Sequence, residues 1–97
     1  MDAELIAEIN AISRLTGLFT LRSGQSATEY FDKYRFESSP ALLGRIAEAL
    51  VPLLPAGTEV LAGLELGGVP IATALSLRTG LPVVFVTGEG VRDGAAR

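Results

Sequence analysis

The chain has no cysteine, no histidine and no tryptophan, and one methionine. Without cysteine there is no disulfide and no thiolate site. Without histidine, Ser-His-Asp triads and histidine general-base catalysis are excluded, and a zinc site would rest on carboxylates alone. Positive charge is also scarce: 8 basic residues against 11 acidic ones leave a net charge of −3. That balance gives no basic surface with which to displace counterions from nucleic acid. No apolar run approaches the ~20 residues of a membrane-spanning helix. The start, Met1-Asp2-Ala3-Glu4, is acidic where a secretory signal would be basic. These absences predict a soluble cytoplasmic protein. What is present is a 48 % apolar composition over 97 residues, enough for the core of one domain.

Asp2 is placed to cap a helix running to about Thr16, with Leu5, Ile9, Ile12 and Leu15 at helical spacing and Gly17 as its stop. Residues 18–22 and 28–33 are rich in β-formers around a Ser23-Gly24-Gln25-Ser26 turn, which predicts a hairpin. Residues 35–39 read as a polar connector. Ser39-Pro40 opens a second helix, with Leu43, Ile46, Ala47 and Leu50 as its buried face and Leu42 and Val51 beside them. Pro52 and Pro55-Ala56-Gly57 end it.

A strand at 60–63, a helix at 70–78 and a strand at 83–86 then follow, a βαβ unit whose strands should be parallel with helices on both sheet faces. The fold class is therefore α/β, with an N-terminal helix and hairpin (1–38), a βαβ core (39–86) and a mobile tail (87–97).

The most informative stretch is Gly63-Leu64-Glu65-Leu66-Gly67-Gly68-Val69-Pro70. A glycine turn between a strand and a helix lets backbone N–H groups converge on an anion at the positive end of the helix dipole. Phosphate or pyrophosphate binding is the chemistry suggested; a tight strand-to-helix turn with no ligand is the plain alternative. On the residues alone, Tyr30 and Phe31 read as ordinary hairpin aromatics, and Lys33 and Arg35 as solvated strand-end charges. Arg22 at the hairpin turn reads as structural or as a dimer contact. Glu65 either accepts hydrogen bonds from loop backbone or lies in solvent.

Two segments together resemble the orotate phosphoribosyltransferase family. The first is Gly17-Leu18-Phe19-Thr20-Leu21-Arg22-Ser23-Gly24 followed by Tyr30-Phe31-Asp32-Lys33-Tyr34-Arg35-Phe36, similar to the family's hairpin hood over the pyrimidine. The second is Ala62-Gly63 through Gly67-Gly68-Val69-Pro70-Ile71-Ala72, similar to its pyrophosphate loop.

The resemblance implies a partial phosphoribosyltransferase-type sheet. It also implies transfer of ribose 5-phosphate from phosphoribosyl pyrophosphate to orotate in pyrimidine nucleotide synthesis, with magnesium. An oxocarbenium-like transition state of that kind needs electrostatic stabilisation and alignment more than a protein nucleophile. By resemblance, Tyr30, Phe31 and Lys33 would meet the orotate, and Glu65, Leu66, Gly67 and Gly68 would line the pyrophosphate. In the family, the peptide before the Leu-Gly pair is sometimes cis.

The sequence also departs from the family. After the strand at 83–86 the family carries Arg-Lys, a second lysine three residues on and a glycine three beyond. The matching positions here are Thr87, Gly88, Val91 and Gly94, so those cations are missing, and Arg92 is offset by one. No acidic pair followed by a Thr-Thr-Gly loop is present. The expectation is a truncated chain, inactive alone. A non-catalytic phosphate-binding or assembly module is a second reading, and a shortened product without activity a third. Uncovered strand edges and helix faces predict a homodimer or higher oligomer.

Overall fold

The computed structural model describes residues 2–92. Helix α1 (Ala3–Ser13) begins at Asp2, whose carboxylate accepts from the Leu5 N–H at 2.7 Å. The helix stops three residues short of the expected end. Arg14 already belongs to strand β1 (Arg14–Thr20), which pairs antiparallel with β2 (Ser26–Phe31). Gly17 is therefore a strand residue rather than a helix stop. Its φ of +148° falls where the register slips between Thr16 and Phe19, a bulge conformation that glycine adopts freely.

The hairpin ends two residues before the predicted Lys33. Asp32 caps a short helix α2 (Lys33–Glu37), accepting from the Tyr34 N–H at 3.1 Å, where the sequence suggested strand and connector. Two contacts bind this junction to the end of α1: Asp32 N donates to Ser13 O at 2.9 Å, and Arg35 Nε to Ile12 O at 2.7 Å. Arg35 is thus a structural cation.

Helix α3 (Pro40–Leu50) starts as expected, with the Ser39 hydroxyl accepting from the Leu42 N–H and Pro40 in the first turn. A 3-10 turn, Val51–Leu53, follows. Strand β3 (Leu61–Leu64), helix α4 (Val69–Thr79) and strand β4 (Val83–Thr87) form the βαβ unit, with β3 and β4 parallel from Leu61↔Val83 to Leu64↔Val86. Gly80, at φ +77°, ends α4 in the left-handed conformation that favours glycine.

The chain from residue 87 does not all form a loose tail: β5 (Gly90–Arg92) pairs antiparallel with β4, giving the order β3-β4-β5. Residues 93–97, including Gly94, lie outside the described residues. Among the described residues, helices do not cover both faces of the sheet as the apolar runs suggested. Leu61 and Gly63 are buried beneath the helices, whereas Ala62 and Leu64 point the other way and Leu64 is 65 % exposed.

Two apolar clusters hold the elements together. Leu5, Phe36 and Ile46 join α1, α2 and α3, with Ile9, Ile12 and Leu42 against them. Ala47, Leu61 and Leu75 join α3, β3 and α4, with Leu54, Leu81 and Val83 against them. Leu50 and Ile71 pack against both clusters.

Candidate functional site

The bend between β3 and α4 is shaped by lack of room. A Cβ on Gly63 would lie 2.9 Å from both Ala72 Cβ and Gly68 O, and one on Gly68 would lie 2.9 Å from Leu64 N. Glycine at 63 and 68 lets strand and helix close on each other. The backbone is then tied internally: Glu65 N donates to Val86 O at 2.8 Å, Gly68 N to Leu64 O at 2.7 Å and Val69 N to Leu66 O at 3.1 Å. The Glu65–Leu66 peptide is cis. The N–H groups of Leu66 and Gly67 have no hydrogen-bond partner among the described residues. Gly68, the cap of α4, offers no side chain to the helix's first N–H groups. Open donors at the positive end of a helix dipole suit an anion.

A cleft of about 530 Å³ lies beside the bend, lined by Lys33, Gly67 and Gly68 and by the apolar Leu61, Ile71 and Leu75. Lys33, the first residue of α2, reaches this cleft from just beyond the hairpin. Its ammonium donates to Gly67 O and to both carboxylate oxygens of Glu37, each of the latter at 2.7 Å. Lys33 is thus a half-buried, paired charge. Glu37, buried at the end of α2, was missed by the sequence reading. The signal that could have found it is the Lys33–Glu37 spacing of one helical turn after a capping Asp32.

Tyr30 and Phe31, neighbours on a strand, take opposite faces. Tyr30 packs on Phe19 with ring centroids 5.8 Å apart; Phe31 packs on the core ring Phe36 at 6.2 Å. The two do not share one surface. Tyr30 instead shares a hollow of about 510 Å³ with Phe19, Thr20, Leu21 and Arg22. Glu65 is exposed, and its carboxylate makes no hydrogen bond among the described residues. No group of three or more His, Cys, Asp or Glu residues that could hold a metal ion occurs among the described residues.

No protein-family model matches the chain. A curated orotate phosphoribosyltransferase from a Nocardioides species is 58 % identical over 97 residues, all of this chain and 54 % of that protein. The chain belongs to the orotate phosphoribosyltransferase family. It spans about half the length of the curated family members it matches.

Among solved members, the Mycobacterium tuberculosis orotate phosphoribosyltransferase in complex with inorganic phosphate superposes with a TM-score of 0.74 at 30 % identity, covering 95 % of this chain and 56 % of that one. The same enzyme in complex with 5-phospho-α-D-ribosyl 1-diphosphate gives a TM-score of 0.68 at 28 % identity over 95 % of this chain and 56 % of that one. The family likeness thus extends across the hairpin, the bend and the βαβ unit alike. No helix among the described residues is long and apolar enough to cross a membrane.

Proposed function

We propose that this chain supplies the base-facing hairpin and the pyrophosphate loop of an orotate phosphoribosyltransferase site, serving transfer of ribose 5-phosphate from phosphoribosyl pyrophosphate to orotate in pyrimidine nucleotide synthesis. The observation that carries the proposal is the meeting of Lys33 with Gly67, which joins helix α2, directly after the hairpin, to the glycine bend. Gly67 and Gly68 with Leu66 form the anion-facing backbone, where the open N–H groups of Leu66 and Gly67 receive phosphate oxygens. Glu65 stands at the entry to that loop. Tyr30 offers its ring to the base, while Phe31 braces the ribbon from behind through Phe36. Arg22, in the hollow with Tyr30, supplies a cation suited to the carboxylate of orotate.

The described residues hold no cluster of metal ligands. Magnesium, in this reading, would be held by the pyrophosphate donor and not by side chains of the described residues. Two copies of the chain pair in this reading, covering exposed side chains such as Leu64, Leu66 and Leu77.

A second reading, a non-catalytic phosphate-binding or assembly module, is favoured by one observation. Thr87, Gly88 and Val91 carry no charge where the family places cations, and residues 87–92 run through a strand pair. One assay separates the two. Loss of orotate absorbance with phosphoribosyl pyrophosphate and magnesium supports the enzyme. A pyrophosphate-dependent rise in melting temperature without turnover supports the module. Neither response sinks both.

A further inference from the structure

We infer that Lys33 and Glu37 form a positioning latch, in which the buried Glu37 carboxylate holds the Lys33 ammonium on the Gly67 carbonyl and so fixes the 67–68 peptide of the bend. Its functional meaning rests on the phosphate reading of that bend, whereas its existence does not.

An ammonium has three N–H donors and no acceptor. Lys33 has three acceptors around it: Glu37 Oε1, Glu37 Oε2 and Gly67 O. Both Glu37 oxygens lie on one side of the ammonium and Gly67 O on another, so the charge is anchored to protein while the side chain stays 37 % exposed. The Glu37 side chain is 3 % exposed, and a buried carboxylate without a cation is strongly unfavourable. Each member of the pair thus fixes the other.

The order of the pair points to the third partner. Lysine four residues before glutamate is the weaker arrangement on a helix, and α2, five residues long, is too short for such a pair to sustain. Helix stabilisation does not account for the pair; the bond to Gly67, 34 residues away, does. The 67–68 peptide is then held at both ends, its carbonyl by Lys33 and its N–H by Leu64 O at 2.7 Å. The latch also places a neutral pair, rather than a free cation, beside the cleft. Attraction of an anion to the bend falls to the backbone N–H groups of Leu66 and Gly67.

Amide hydrogen exchange on the 97-residue chain tests the latch without any ligand. In Lys33→Met, exchange of the Gly68 N–H is expected to quicken more than fivefold, with Leu75 in mid-α4 unchanged. Lys33→Arg keeps a donor to Gly67 and is expected to stay within fivefold of the parent. A Gly68 rate within fivefold in Lys33→Met, or no rescue by Lys33→Arg, overturns the inference.

If Lys33→Met does not fold, the parent protein decides. A nuclear Overhauser contact between the Lys33 ammonium and the Gly67 α-protons is expected, and its absence overturns the latch. Pyrophosphate added to the parent should slow exchange at the Leu66 and Gly67 N–H groups. If it does not, the phosphate reading fails while the variants still judge the latch.

Discussion

The β1–β2 ribbon and the β3–α4 bend use side chains in opposite ways. On the ribbon, Leu18 is 82 % exposed, and Tyr30 and Phe31, each about half exposed, pack on Phe19 and on the core ring Phe36. At the bend, side chains are excluded: glycines at 63 and 68 leave no space for a methyl group. In the proposed site the ribbon therefore offers groups that contribute little to stability, and the bend offers backbone that packing has fixed. A recognition surface of the first kind can change its residues cheaply. One of the second kind cannot, because the same atoms hold strand and helix together.

Substitutions that separate stability from recognition test this contrast. The largest effect is expected for Gly63→Ala. Its methyl would meet Ala72 Cβ and Gly68 O at 2.9 Å, and the overpacking should cost about 3 kcal/mol, read as a lowered urea midpoint. Tyr30→Ala should cost about 1 kcal/mol, the value of its contact with Phe19, yet weaken orotate binding measured by calorimetry. Gly67→Ala should change stability by no more than about 0.5 kcal/mol. The nearest atom to its methyl is Lys33 Nζ at 4.0 Å, and its φ lies outside the left-handed region. A loss at 67 as large as that at 63 would show that the two glycines are not distinguished by space. Arg14→Gln, which breaks the exposed pair with Glu29 at 3.6 Å, should change the unfolding free energy by roughly 0–0.5 kcal/mol.

The same contrast explains what could be read before any coordinates. Asp2, Ser39-Pro40 and Gly80 are local signals whose partners lie within one turn of helix, and the elements they bound form where the sequence places them, apart from the far end of α1. The bend was legible because a strand run, paired glycines and an early proline sit next to one another. The end of α1 was not, because Gly17 signals a stop in a helix and a bulge in a strand equally well, and pairing with β2 decided between them. Helix α2 is too short to show a period. The role of Lys33 depends on a carbonyl 34 residues away, a relation that no local pattern encodes. Strand β5 was hidden by the glycines around it, although the Thr87-Gly88-Glu89-Gly90 run is itself a turn signal.

Leu50 and Ile71 touch both apolar clusters, and this bears on how the molecule comes apart. Ile71 lies in the first turn of α4, directly after the glycine bend, and reaches the cluster that seats the hairpin's foot. Melting of either half removes a wall from the other. Heating should accordingly give a single cooperative transition, in which far-ultraviolet circular dichroism and tyrosine fluorescence lose amplitude together.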